Sequence, residues 1–257
     1  MIEKSMKHVR LDELDQEGCP VFVGLRPETP WEAFDYWVLA PEEPFPVAGT
    51  GIACEQGYVF TGGPVELTVG QQRVESGKGP CFVVEPTGCA HELKNLTDAS
   101  VNVLSVRVAL DADAETQEGV QPKVGTFNEQ ALMWRDAIHG GCGQIATRHV
   151  LSPDDFYSDW TFLDHAILDA GGSVGYHYHD FLEESFVVLQ GQGLMTIDDE
   201  TFAVGPGSVT WQGIGRGHGM YNPGPEKLEF VRIAVKQADE AYTTIDLHDD
   251  LSARRPT

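Results

Sequence analysis

Residues 175–191 read GYHYHDFLEESFVVLQG. Along an extended strand side chains alternate between faces, so His177 and His179 project to one side and Tyr178 to the other. Two residues of rise set the two imidazoles roughly 6.6 Å apart at the backbone, and side chains converging from there reach one ion at about 2.0–2.2 Å. Residues 180–183 then turn the chain, and Glu184 opens a second strand, Glu-Ser-Phe-Val-Val-Leu, from which its carboxylate reaches the same place. A carboxylate buried among apolar strand residues is expensive without a partner, and a divalent cation relieves that cost.

Short runs of this kind fill the chain. Tyr58-Val-Phe-Thr61, Val65-Glu-Leu-Thr-Val69, Val101-Asn-Val-Leu-Ser-Val106 and Phe230-Val-Arg-Ile-Ala-Val235 are rich in β-branched and aromatic residues and are cut by Gly, Pro and Asp. They predict an all-β protein. Helical signals are confined to residues 30–35 and 128–136.

The pattern also repeats. Glu55 and Gly62 stand seven positions apart, as do Glu184 and Gly191; His91 and Asn95 stand four apart, as do His218 and Asn222. The offsets between halves are 129, 129, 127 and 127 residues, about half of the 257-residue chain, which predicts a tandem duplication. One unit is expected at 20–110, an acidic linker at 111–135, a second unit at 136–240 and a mobile tail at 241–257.

Composition narrows the function. A hydrophobic share of 41% and a charged share of 22% are those of a globular protein. A net charge of -23, from 40 acidic against 17 basic residues, repels phosphate backbones and anionic membrane surfaces, so neither nucleic acid nor membrane is an expected partner. The five cysteines form no CxxC pair, which fits reduced, mostly buried thiols. The charged first 18 residues lack the apolar segment of a secretory signal, and the expected compartment is the cytoplasm.

The segment Gly171-x5-His177-x-His179-x4-Glu184-x6-Gly191 resembles the first motif of the cupin superfamily. Gly215-x2-His218-x3-Asn222 resembles the second, with Gly213 where a Pro usually stands, and Pro86-x-Gly88-x2-His91-x3-Asn95 of the first half matches that second motif in full. The resemblance implies a bicupin: two tandem double-stranded β-helix (jelly-roll) barrels, each with a pocket at its mouth. It implies His177, His179, Glu184 and His218 as ligands of one divalent metal in the second barrel. It also selects Glu184 over Glu183, because both faces of that strand are apolar and strand period alone does not choose. Counted back from Glu55 at the same spacing, the histidine positions of the first half hold Ala48 and Thr50. That leaves Glu55 and His91 as a degenerate site with too few ligands for a first-row ion. The first barrel is then expected to be a scaffold, and a homodimer built through it is compatible with that role.

Three imidazoles and a carboxylate suit Fe(II), Mn(II), Ni(II), Zn(II), Co(II) or Cu(II). In octahedral geometry two adjacent positions stay open for a small polar organic substrate, with or without dioxygen. Oxygen-dependent dioxygenation leads the expected chemistries. Redox-neutral isomerisation, decarboxylation or elimination is the alternative, and metal-assisted ligand holding without turnover is the third. Near the ligands, Arg216 offers a guanidinium for a carboxylate, Met220 shares the face of His218, and Trp211 and Tyr176 are candidate pocket walls. His165, on a neighbouring strand, is the candidate extra acid or base, since an ordinary imidazole titrates in the range that proton transfer needs.

Overall fold

The strand Leu182–Gln190 is buried along nearly its whole length because each of its faces meets a different core. Phe186 and Val188 pack inside the second barrel with Val174, Met195 and Phe230. Val187, on the opposite face, joins Phe22, Trp31 and Val59 of the first unit. A strand covered on both sides carries apolar residues on both, and the period-2 signal disappears.

A computed structural model describes residues 7–49, 51, 53–85, 89–110 and 121–256. Thr50, Pro86, Gly88 and the acidic residues 111–120 lie outside the described residues. The chain is all-β, folded into two tandem jelly-roll barrels of two sheets each. The second barrel has a seven-stranded sheet in the order His8–Arg10, Ser208–Thr210, Leu182–Gln190, Leu228–Lys236, Trp160–Leu168, Gln144–Leu151, Met133–Asp136. Facing it is a five-stranded sheet ordered Glu200–Val204, Gly193–Ile197, His218–Tyr221, Ser173–His179, Thr244–Asp246. The first barrel has a six-stranded sheet ordered Lys123–Thr126, Cys81–Glu85, Cys54–Phe60, Val101–Ala109, Trp31–Leu39, Cys19–Pro20. Its partner is the four-stranded sheet Pro44–Val47, His91–Asn95, Val65–Val69, Gln72–Glu75.

Each barrel lends its leading strand to the other. His8–Arg10, which precedes the first barrel, pairs with Ser208–Thr210 of the second, and Lys123–Thr126, which precedes the second, pairs with Cys81–Glu85 of the first. Between them lies a shared apolar seam of 21 buried residues, against 12 in the second barrel's own core and 10 in the first's, among the described residues. Trp31 and Trp211 meet edge to face across it at 4.4 Å between ring centroids. Each fully buried large side chain contributes roughly 1.5–3 kcal/mol. Burial on that scale ties the two barrels together across the seam.

Two buried carboxylates clasp the seam. Glu55 accepts from the backbone N–H of Tyr157 and Ser158 and from the Ser158 hydroxyl. Glu183 accepts from the backbone N–H of Glu28 and Thr29 and from the Thr29 hydroxyl.

Several local expectations change. Residues 31–35, expected to be helical, belong to the strand Trp31–Leu39, whose apolar residues feed the seam on one face and the first barrel's core on the other. Of 128–136, only Glu129–Ala131 turns as a 3-10 helix, capped by the Asn128 side chain, before the strand Met133–Asp136. The expected linker contains Lys123–Thr126, a strand of the first barrel's sheet. The expected mobile tail carries the strand Thr244–Asp246 and the buried Leu251. The cysteines are thiols rather than disulfides; Cys54 and Cys81 are buried, whereas Cys89 and Cys142 are exposed. Among the described residues no helix is long and apolar enough to cross a membrane.

Candidate metal centre

Three strands of the second barrel bring the four motif residues together. His177 and His179 come from Ser173–His179, Glu184 from Leu182–Gln190 and His218 from the start of His218–Tyr221, which pairs with the first strand at His177. All four are buried, and one donor atom from each lies within 4.8 Å of the others. Donors facing each other across an ion at about 2.1 Å are ~4.2 Å apart, so the cluster needs only a small contraction to ligate.

Hydrogen bonding has already chosen the nitrogen that faces inward. Nδ1 of His177 donates to the Gly175 carbonyl (2.8 Å) and Nδ1 of His218 to the Arg216 carbonyl (2.9 Å). A carbonyl only accepts, so in the neutral rings Nε2 carries the lone pair. His218 Nε2 then points at Glu184 Oε2 from 3.0 Å, and His179 Nε2 lies 3.5 Å from the same oxygen. Acceptor facing acceptor at that distance requires a proton or a cation between them. His177 Nε2 and Glu184 Oε1 are buried with no hydrogen-bond partner among the described residues. Burial, and then the neighbouring imidazoles, hold His177 well below the usual imidazole range. Burial alone would raise the Glu184 carboxyl, but the close approach of the His179 and His218 rings and the charge of Arg232 outweigh that and hold it well below the usual carboxylate range. A neutral His177 beside an ionised Glu184, each with a buried atom left unpartnered among the described residues, is what metal ligation needs, so the residues fit a divalent ion.

Further residues complete the site. His139 stacks on His177 at 4.1 Å between centroids, and burial lowers it to about 4. This approach needs a glycine at 175, where an added Cβ would lie 1.9 Å from the His139 carbonyl oxygen. Arg232, buried in the strand Leu228–Lys236, ion-pairs with Asp164 and brings Nη1 to 3.6 Å from Glu184 Oε1. Its guanidinium stands over the Phe162 ring, 5.3 Å from the centroid, and its Nε has no hydrogen-bond partner among the described residues. Asp164 is held from the other side by His149 Nδ1 at 2.5 Å. The result is a line of ionisable groups, His149, Asp164, Arg232 and Glu184, running from a half-exposed imidazole to the candidate ligand Glu184. Phe162, Leu182, Ala234 and Tyr242 form an apolar cluster beside it.

The other expected site residues do not converge here. His165 is wholly buried with its Nε2 2.7 Å from Glu229 and its ring against Phe127, on the face opposite to Asp164. Strand alternation turns it away from the ligands, so it is not their acid or base. Arg216 pairs with Asp198 and lines, with Trp211, a cavity of about 650 Å³ along the seam between the barrels. Trp211 packs on Trp31 and Phe22 in the seam itself. Tyr176 faces away from its histidine neighbours, donating to the Asp198 carbonyl beneath the Arg254 guanidinium. Met220 points inward but is core packing, against Val174 and Met195. The motif asparagine Asn222 donates to the carbonyls of Leu168, Asp169 and Glu226, and so ties loops rather than a ligand.

In the first barrel the register corrects the expected degenerate pair. Glu55 lies opposite Val108 and Gln56 opposite Arg107, whereas Glu183 lies opposite Val235 and Glu184 opposite Ala234. The seam clasp Glu55 thus corresponds to Glu183, and Gln56 to Glu184. An extra residue, Leu189, bulges from the strand Leu182–Gln190, so equal spacing to Gly62 and Gly191 hides a one-residue slip. Such a slip exchanges the two faces of a strand. Val47 lies opposite His91 as His177 lies opposite His218, so apolar Val47, rather than Ala48, takes the first histidine's place. His91 keeps the bond from Nδ1 to the carbonyl two residues back, and its Nε2 accepts from the Tyr58 hydroxyl at 2.5 Å. Gln56 donates to Ser105, which stands at the register of Arg232.

Residues 164–234 match the Cupin_2 family, described as the cupin domain. The oxalate-binding protein of Thermotoga maritima is 26% identical over 98 residues, which cover 38% of this chain and 81% of that protein. The fold is similar to that of Lactobacillus farciminis oxalate decarboxylase in its formate complex, with a TM-score of 0.66, 15% identity and coverage of 95% and 89% of the two chains. An IolB-like protein from Salmonella typhimurium LT2 is similar with a TM-score of 0.64, 16% identity and coverage of 85% and 89%. At such identities the structural likeness is one of fold.

Proposed function

We propose that this two-barrel member of the cupin superfamily is a metal-dependent enzyme that holds a small carboxylate in its second barrel and carries out redox-neutral chemistry on it, decarboxylation foremost. Arg232 carries the proposal. A buried guanidinium beside a metal ligand, with one donor unspent, is a built anchor for an anion. The first barrel provides an internal control: with Ser105 and Gln56 at the same registers it forms the same fold, so the barrel does not require the charge.

Each residue of the site then has a task. Arg232 orients the substrate carboxylate, Asp164 fixes the guanidinium, and Phe162, Leu182 and Tyr242 keep water from the charged interior. His177, His179, Glu184 and His218 would hold a divalent ion, which supplies Lewis-acid polarisation of a substrate oxygen. The formal charges of such an ion, Arg232, Asp164 and Glu184 sum to a single positive charge, which a carboxylate neutralises. An oxalate-binding protein among the relatives and an oxalate decarboxylase among the similar folds support the same substrate class. They move decarboxylation ahead of the dioxygenation expected from sequence.

The experiment is to incubate metal-loaded protein with oxalate, and then with other small mono- and dicarboxylates, while following carbon dioxide and dissolved oxygen. Carbon dioxide release without net oxygen uptake, lost in Arg232→Met, supports the proposal. Stoichiometric oxygen uptake would instead make the protein a dioxygenase, and saturable binding without turnover would make it a ligand-holding protein.

A further inference from the structure

The three imidazoles of the metal centre are not held alike. His177 and His218 each donate Nδ1 to a carbonyl two residues back on their own stretch of chain. His179 Nδ1 instead meets Thr244 Oγ1 at 3.0 Å, a partner 65 residues away in sequence. Thr244 stands directly opposite His179 in the strand Thr244–Asp246, which adds to the edge of the five-stranded sheet and also pairs Asp246 with His177. Next to it the Thr243 N–H and hydroxyl clasp the Asp180 carboxylate at 2.6 and 2.7 Å. On the other side the Tyr242 ring meets His179 edge-on at 5.7 Å. These residues lie beyond the matched cupin domain, which ends at residue 234.

We infer that residues 242–246 are a strap that sets the orientation and tautomer of the metal ligand His179, with Thr244 as the positioning residue; this rests on the metal-centre assignment above. His179 is the last residue of its strand and its Nδ1 meets Thr244 rather than a carbonyl of its own stretch, so its ring is steadied from outside. A hydroxyl accepting from Nδ1–H keeps the lone pair on Nε2, turned toward Glu184 and the other ligands. The adjacent bonds from Thr243 to Asp180 anchor the strap at the turn that separates His179 from Glu184. Without the hydroxyl, a buried imidazole donor is left unsatisfied and the ring is free to turn.

The test uses the full-length chain, freed of metal and titrated with Co(II), whose visible absorption reports its coordination. Thr244→Val is expected to weaken Co(II) binding ten- to a hundredfold, the usual range for losing the partner of a ligating histidine. Thr244→Ser is expected to restore it, and Ser252→Ala, which removes a hydroxyl from the C-terminal segment outside the strap, to leave it unchanged. Nitrogen-correlated NMR of the His179 ring in metal-free protein reads the tautomer directly: Nδ1–H in the unaltered chain and in Thr244→Ser, lost in Thr244→Val. Unaltered affinity and an unaltered tautomer in Thr244→Val would overturn the strap. If the unaltered chain takes up no Co(II), the metal centre falls, and the ring tautomer alone then decides for or against Thr244.

Discussion

Arg232 approaches Glu184 to 3.6 Å in the second barrel, at the registers where Ser105 accepts a hydrogen bond from Gln56 in the first. One duplicated frame thus carries a neutral pair in one copy and a charged pair in the other. Burying a guanidinium and two carboxylates is costly unless they stay paired, and removing one member exposes the full cost of the others.

The first prediction concerns that pairing. Arg232→Met leaves Asp164 and Glu184 buried without their cation and is expected to lower stability by roughly 3–5 kcal/mol, read from denaturant unfolding. Gln56→Leu together with Ser105→Ala removes both partners of the neutral pair and is expected to be nearly neutral. Comparable losses in both barrels would show that the charged line is ordinary scaffolding.

The second concerns pH. The bond to Asp164 raises the His149 imidazole above its usual 6.5, against partial burial and the charges of Arg232 and Arg135. A group raised on folding contributes stability that is complete below the unfolded value and disappears as pH rises through the folded one. Metal-free protein is therefore expected to lose stability on going up from pH 6.5, and His149→Gln to flatten that slope. Parallel pH profiles for the two proteins would refute this coupling.

Adjacent glutamates provide the third. Glu183 faces the seam and Glu184 the metal centre, so Glu183→Ala is expected to cost about 1–3 kcal/mol by stranding the Glu28 and Thr29 donors while metal content stays unchanged. Glu184→Gln is expected to abolish metal binding. Elemental analysis beside denaturant unfolding separates the two effects, and a metal loss in Glu183→Ala would reverse the register.

Much of this was legible in the sequence because ligands at fixed spacings on strands must share a face. His177, His179, Glu184 and His218 do converge, and two all-β units follow from short runs cut by turns. Three features escaped for physical reasons. The bulge at Leu189 added a residue between the acid and its glycine, so equal spacing paired Glu55 with the wrong glutamate. Arg232 was visible as a lone cation in an apolar strand run, but which face it occupied depended on pairing with Trp160–Leu168 and Leu182–Gln190, which no local pattern encodes. His139, Tyr242 and Thr244 reach the centre from segments flanking the motif stretch, and only the folded chain brings them there.

The central claim is that one barrel binds metal and the other does not. The direct measurement is the metal content of the purified chain beside those of Glu184→Gln and His91→Ala. About one equivalent of a divalent transition metal in the unaltered chain and in His91→Ala, with almost none in Glu184→Gln, is the expected result. Two equivalents, or content that ignores Glu184, would contradict it.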